Sequence, residues 1–208
     1  MNEQNYLGNS KSRKPLLATM AMAFTTVSQL VEHIDDLSLA SPYDAGKGMK
    51  MLPIRFQGAP LHLKLSSDND LSVPWEPSSW GGNTEPRKSI TCNLPQPVFE
   101  ALAELEDWCR QVLEDTHPAI QALWISRVKP AEKYPATLAA KINMAGPRQA
   151  RFYDEAAKPT EPPTSWRGMA VNAVVHVKGV YIQRQSIGLV LDVTDIRYAA
   201  PPERVCPF

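Results

Sequence analysis

The side chains best suited to catalysis or metal binding are scattered along the 208-residue chain. The histidines, His33, His62, His117 and His176, are nowhere four residues apart, and no acidic cluster with metal-ligand spacing accompanies them. We expect these side chains to be solvated or at the edge of the core rather than to bind metal. The chain also lacks a phosphate loop, a Gly-rich dinucleotide turn, a nucleophile elbow and a metalloprotease motif. The sequence therefore predicts a protein that is not an enzyme and uses no cofactor.

The acids and cysteines add no catalytic pattern. Asp192 and Asp195 stand three residues apart on a predicted strand, which places them on opposite faces, a poor geometry for a carboxylate pair. Cys92, Cys109 and Cys206 are odd in number and contain no Cys-x-x-Cys pair, which argues against a disulfide framework and against a zinc site. This use of cysteine favours a reducing, intracellular compartment.

Aromatic rings stand beside cations at three places in the last third of the chain. The groups are Arg151-Phe152-Tyr153, Trp166-Arg167, and Tyr181 with Arg184. Single-stranded nucleic acid suits this combination, because cations follow the phosphates and rings stack on exposed bases at ~1–3 kcal/mol per base. The alternative is that Phe152, Trp166 and Tyr181 are core or hairpin aromatics and that the cations solvate edge strands.

The charge of the chain is zero overall but unevenly distributed. Its 22 Lys and Arg balance 22 Asp and Glu, which excludes a polycationic nucleic-acid coat and an acidic disordered chain. Residues 127–198 nevertheless carry 11 basic and 6 acidic side chains, whereas residues 81–126 carry 3 and 7. A basic groove therefore remains compatible with the neutral total.

The elements that would position these side chains are mostly short strands. The chain has 19 Pro and 10 Gly, which favours strands and ordered loops over long helices. Period-two alternation over Val171–Ile182 and over Gly188–Arg197 predicts a long hairpin. Val175 and Val177 are expected inside, and a bulge at Gly179 would exchange the faces of the residues after it. Shorter strands are predicted at 52–65, in two parts, and at 89–93, 137–143 and 150–153.

One helix interrupts the strands. Pro95 and Pro97 suit its first turn, and Pro118 disfavours helix just before it, so we place the helix at about 97–116. Its apolar face is predicted to contain Val98, Leu102, Leu105, Cys109 and Val112.

This order predicts a mainly β fold with one inserted α-helix, an OB-fold-like small barrel plus an N-terminal arm. The barrel is assigned to residues 51–198, the arm to 1–50, partly mobile or helical, and a C-terminal tail to 199–208. The arm is a candidate for forming a homo-oligomer. Its apolar stretch Leu16–Phe24 is too short to span a bilayer, so no membrane partner is expected.

Five segments in the second half of the chain resemble single-stranded DNA-binding proteins of short-tailed phages and large eukaryotic DNA viruses. They are Leu138–Asn143, Arg151–Asp154, Trp166–Gly168, Val174–Ile182 and Ile187–Ile196. In that family such segments build the second half of an OB barrel, and a helix precedes them. The resemblance covers about residues 130–198, and 50–125 only by the order of elements. It implies a virus-infected cell or a phage host.

The resemblance implies a non-catalytic protein that coats single-stranded DNA during replication, recombination or repair. Phosphate contacts are expected from Lys141, Arg148, Arg151, Arg167, Lys178 and Arg184. Stacking is expected from Tyr153, Trp166 and Tyr181, with Trp75 and Trp80 as loop candidates. The terminal Phe208 that recruits replication proteins in the family is present, but the acidic run before it is absent, which puts that recruitment in doubt. The alternative is a structural or assembly protein, such as a virion or scaffold component.

Overall fold

The chain forms mainly short β-strands and one long helix. A computed structural model describes residues 24–65, 71–79, 85–130 and 132–199. The strands are β1 (Thr25–Thr26), β2 (Leu37–Leu39), β3 (Tyr43–Asp44), β4 (Lys50–Phe56), β5 (Ala59–Lys64), β6 (Leu71–Val73), β7 (Arg87–Asn93), β8 (Val128–Lys129), β9 (Thr137–Asn143), β10 (Arg151–Tyr153), β11 (Pro159–Thr160), β12 (Met169–Gln183) and β13 (Ser186–Tyr198). The helices are α1 (Val27–Glu32), α2 (Gln96–Glu114) and α3 (Ile120–Leu123), with a 3-10 turn at Ile34–Asp36.

Five of these strands close into a ring, which makes the fold a small barrel. β12 pairs with β6, β6 with β7, β7 with β9, β9 with β13, and β13 pairs with β12 again. These pairs are antiparallel except for β9 and β13, which run in parallel. A five-stranded barrel of this kind is OB-like. The predicted mainly β fold with one inserted helix is therefore confirmed.

The hairpin of β12 and β13 is the longest element of the barrel. Val175 and Val177 lie in the core, as the alternation predicts. The register of the hairpin shifts between Val177 and Gly179, and after this bulge Val180 is the next residue to point into the core. The other edge of β12 pairs in turn with β6, β5 and β4. The hairpin prediction is confirmed, and the bulge does exchange the faces of the residues that follow it.

Helix α2 packs one face into the core. Pro95 is its N-cap and Pro97 lies in its first turn, because the first backbone N–H groups of a helix need no intrahelical partner. The buried aliphatic and thiol side chains are Val98, Ala101, Leu102, Leu105, Cys109 and Leu113. Val112 was predicted on this face, but it is 47% exposed and Leu113 is buried instead. The difference arises because the apolar stripe steps by four residues after Cys109 rather than by three.

The described part of the N-terminal region packs on the barrel. β1 pairs in parallel with β5, and β2 and β3 both pair with β4. Thr26 caps α1 through a capping box with Gln29, and Leu30 of that helix is fully buried. Residues 24–44 thus contribute to the body of the protein, while residues 1–23 of the predicted arm lie outside the described residues. Among the described helices none is long and apolar enough to cross a membrane.

Candidate nucleic-acid interface

A continuous groove runs across the outer face of the β12–β13 hairpin. Its central part has a volume of about 640 Å³ and shares Tyr43, Arg148 and Lys178 with a neighbouring part of about 540 Å³. A third part of about 470 Å³ adjoins the central one through Arg151. We call these three parts together the groove. Strand β3, which carries Tyr43, and the loop between β9 and β10, which carries Arg148, contribute to its walls.

The groove is strongly basic, although the whole chain is neutral. Among the described residues, nine cations line it against two carboxylates, Asp192 and Asp195. The cations are Arg55, Lys64, Arg87, Arg127, Lys141, Arg148, Arg151, Lys178 and Arg197. Such a concentration of one charge in a concave surface focuses the field on an anionic ligand.

A buried carboxylate holds two of these cations in place. Asp192 is 5% exposed, and its carboxylate accepts hydrogen bonds from both terminal nitrogens of Arg87, at 2.6 and 3.2 Å. The Lys178 ammonium forms an ion pair with the same carboxylate. One negative charge therefore orders two positive charges at the floor of the groove, and the local balance stays positive.

The second carboxylate anchors the third part of the groove. Arg151 Nη2 donates to Asp195 Oδ2 at 2.9 Å, and the Tyr153 hydroxyl lies 3.5 Å from Asp195 Oδ1. The hydrogen bond with Asp195 raises the pKa of the Arg151 guanidinium, which stays charged. Asp192 and Asp195 were predicted on opposite faces, which is wrong. The register of the hairpin shifts between Val174 and Val175, so both carboxylates lie on the groove face.

Lys141 lies near two guanidinium groups of the groove, those of Arg127 and Arg87. Its ammonium donates to Ser89 Oγ at 2.6 Å across β7 and β9. Burial lowers the pKa of Lys141, and the nearby guanidinium groups of Arg127 and Arg87 lower it further. A bound anion would relieve this repulsion, so the site favours a negatively charged ligand.

Two rings that were predicted to stack on bases are not available for stacking. Trp166 is 3% exposed and packs edge-on against Phe152 in the core, with the ring centres 6.0 Å apart. Tyr181 is 7% exposed on the groove floor, where the Arg127 guanidinium lies 5.7 Å from its ring centre. The assignments of Trp166 and Tyr181 are corrected for this reason, and Phe152 and Trp166 belong to the core as the alternative held.

Helix α2 and the segment after it hold Arg127 over Tyr181. Glu106 is a buried acid of α2 that accepts hydrogen bonds from the Arg127 backbone N–H at 2.7 Å and from Trp124 Nε1 at 3.1 Å. Arg127 Nε in turn donates to the Leu189 carbonyl at 2.9 Å. The acidic helix thus positions a cation of the groove through one carboxylate.

The remaining predicted residues are distributed between the groove and its surroundings. Lys141, Arg148, Arg151, Tyr153 and Lys178 line the groove together. Arg167 and Arg184 are exposed on the loop before β12 and on the hairpin turn, and they line none of its three parts. Trp75 is exposed on the loop after β6, away from the groove. Trp80 and Phe208 lie outside the described residues.

Sequence reasoning missed several groove residues. Tyr43 is 53% exposed where the two larger parts of the groove meet, and Arg55, Lys64 and Arg87 also line the groove. Arg55 and Lys64 end up there because β4 and β5 pair with β12, more than a hundred residues further along the chain. No local pattern marks these four. Arg127 and Arg197 also line the groove, and they were counted among the cations of residues 127–198 but not predicted as site residues.

Two histidines stack in the wall of the groove. The rings of His62 and His176 lie 4.4 Å apart and 13° from parallel, because the two residues pair across β5 and β12. Burial lowers the pKa of His176 to about 4, helped by His62, Lys178 and Arg55 and opposed by Asp192. Among the described residues no group of three or more His, Cys, Asp or Glu is placed to hold a metal ion.

Comparison with known proteins gives structural neighbours but no family. No family model matches the chain, and no curated protein matches it. The C-terminally truncated single-stranded DNA-binding protein from bacteriophage Enc34 is similar, with 15% identity, a TM-score of 0.47 and coverage of 80% of this chain and 99% of that one. The Enc34 protein in complex with ssDNA is similar too, at 14% identity and a TM-score of 0.46, covering 79% and 97%.

Both neighbours are phage single-stranded DNA-binding proteins.

Proposed function

We propose that this protein binds single-stranded DNA in the groove and performs no chemistry on it. Its role would be to coat exposed strands during replication, recombination or repair. The observation that carries the proposal is the groove itself, in which nine cations face two carboxylates on a chain of zero net charge. Phosphates are the polyanion that such a groove fits, because each bound phosphate replaces counterions and relieves repulsion among the cations.

The groove offers each part of a nucleotide a suitable contact. Lys141, Arg148 and Lys178 face its two larger parts and would contact phosphates. Tyr43 is exposed at the lip that those parts share, and its ring would stack on a base. Tyr153 lines the third part beside Arg151 and would stack on another. Proteins that bind single strands without sequence preference usually combine cations with accessible aromatic rings.

Titration of a labelled oligothymidine tests this function. We expect tight binding at low salt, and a logarithm of the association constant that falls linearly with the logarithm of salt concentration, by about 0.7 for every phosphate neutralised. Arg148→Ala should weaken binding several-fold and reduce the slope by about 0.7 because it removes one phosphate contact. Fluorescence anisotropy at several salt concentrations provides both values.

Arg110→Ala is the matched control. Arg110 lies on helix α2, pairs with Asp107 there and does not line the groove. It should leave the affinity and the slope unchanged. A wild-type protein that binds no oligothymidine at low salt would refute the proposed function. Large assemblies in size-exclusion chromatography that are indifferent to DNA would instead favour a structural or scaffold protein.

A further inference from the structure

A second cluster of exposed rings lies outside the groove. Trp75 is 60% exposed on the loop after β6, and Tyr134 is 81% exposed on the loop before β9. Both rings line a cleft of about 630 Å³, whose floor includes Asn93 and Thr137. We call this cleft the distal cleft. Exposing large aromatic rings to water is unfavourable because of the hydrophobic effect. Two such rings side by side therefore indicate a binding surface.

The distal cleft is held in place by its surroundings. Asn93 and Thr137 pair across β7 and β9, and Asn93 Nδ2 donates to Ser72 Oγ of β6 at 2.9 Å. The two rings are flanked by prolines, since Pro74 precedes Trp75 and Pro135 follows Tyr134. Proline restricts its own backbone and that of the residue before it, so Pro135 limits the backbone of Tyr134, and Pro74 fixes its own φ next to Trp75. Both loops therefore lose less backbone freedom on binding.

The distal cleft and the groove are linked by one face of the β7–β9 pair. Three successive pairs of β7 and β9 share that face, namely Ser89–Lys141, Thr91–Ala139 and Asn93–Thr137. The first pair lies in the groove and the last in the distal cleft. The four steps along β9 from Lys141 to Thr137 correspond to about 13 Å of strand. The pair between them, Thr91 and Ala139, has small side chains that are partly exposed.

The charge of the distal cleft agrees with that of the groove. Lys129 and Lys133 line it against one acid, Glu132. Lys129 pairs with Thr137 through β8, which places it on the same outer face of the sheet. Cations and accessible rings thus occur together again, one short step from Lys141. This combination fits a nucleotide better than it fits an apolar protein surface.

We propose that single-stranded DNA leaves the groove at Lys141, crosses Ala139, and enters the distal cleft, where Trp75 and Tyr134 stack on bases. Lys129 and Lys133 contact the phosphates there. This inference rests on the proposed function of the groove and extends its binding site. A strand long enough to reach the distal cleft gains affinity that a shorter strand lacks.

Binding of oligothymidines of different length to Trp75→Ala and Tyr134→Ala tests this path. One OB fold occupies about 4 to about 16 nucleotides, so oligomers at these two lengths bracket the site. Each variant should bind the long oligomer about tenfold more weakly than wild type does, because one stacked base is lost, and should bind the short oligomer as wild type does. Val112→Ala, which truncates an exposed side chain on helix α2, is the control and should change neither affinity.

The other outcomes are distinct. Equal affinities of Trp75→Ala and wild type for the long oligomer, with wild type binding both oligomers, would overturn the distal path and leave the groove intact. An equal loss at both lengths with an unchanged melting temperature would place the rings in the primary site and contradict the step from Lys141. A loss of self-association in size-exclusion chromatography without loss of DNA affinity would assign the cleft to a second copy. Failure of wild type to bind either oligomer would refute the proposed function itself.

Discussion

The stacked histidines make the groove wall sensitive to acid. Burial holds the pKa of His176 at about 4 and also lowers that of His62, whose Nδ1 is buried without a hydrogen-bond partner among the described residues. In the unfolded chain both imidazoles take up a proton near pH 6.5. As the pH falls from about 6.5 towards 4, the unfolded state therefore binds protons that the folded state does not, and stability is lost over that window.

Replacing His176 with glutamine should flatten this dependence. We expect the free energy of unfolding of His176→Gln to fall less than that of wild type between pH 6.5 and 4, by about 1 kcal/mol after solvent screening. Denaturant unfolding at several pH values measures it. His117→Gln, which changes an imidazole that does not line the groove, is the control and should follow wild type. If the free energy of unfolding of His176→Gln and of wild type fell equally with pH, the stacked pair would accept protons in the folded state, contrary to the prediction.

At the residue scale, the sequence predicts part of the groove and misses the rest for a physical reason. Lys141, Arg151 and Lys178 belong to strands whose alternation is visible locally, and they do line the groove. Arg87 is different, because it reaches the groove through a hydrogen bond to Asp192, 105 residues away. The error about Trp166 has a related cause, because a ring beside an arginine looks the same in sequence whether it faces water or the core.

At the scale of elements, one glycine allows the paired strands β12 and β4 to approach each other closely. Gly179 has φ +148°, and a Cβ built there would lie 2.0 Å from the Leu52 carbonyl oxygen on β4. Gly179→Ala should therefore lower the free energy of unfolding by about 3 kcal/mol, because backbone cannot retreat as a flexible side chain can. Thermal or denaturant unfolding measures the change.

The control for this prediction is another glycine with positive φ. Gly46 has φ +86° and no atom within 4 Å of a built Cβ, so Gly46→Ala adds backbone strain alone and should cost about 1 kcal/mol. Similar losses in the two variants would mean that close approach to β4 is not what requires glycine at position 179.

The elements that the sequence predicts are the ones with local patterns. The hairpin and α2 carry period-two and helical spacing over many residues, and both form close to their predicted bounds. β1, β2 and β3 are two or three residues long and exist because they pair with β4 and β5. Their partners are distant in sequence or offset by a turn, so no local period reveals them.

At the scale of the whole molecule, the net charge is zero, but positive and negative side chains lie on different parts of the surface. The acidic side chains of α2 do not line the groove, and one of them, Glu106, accepts a hydrogen bond from the Arg127 backbone and so helps to position that cation. A neutral protein of this kind gains little from long-range attraction beyond a Debye length of about 8 Å at physiological salt. If the protein binds single-stranded DNA as proposed, short-range contacts with phosphates and stacking on bases must supply the affinity.

An abasic oligodeoxynucleotide separates the two contributions, because it keeps the phosphates and removes the bases. We expect it to bind at least about tenfold more weakly than an oligothymidine of equal length, since each stacked base contributes ~1–3 kcal/mol. The salt slopes of the two ligands should agree, because both present the same phosphates to the same cations.

Tyr43→Ala should weaken binding of the oligothymidine and leave the affinity for the abasic ligand unchanged, because Tyr43 is the exposed ring at the lip of the groove. Equal affinities of wild type for the abasic ligand and the oligothymidine would mean that the groove binds the phosphates and makes no contribution from stacking.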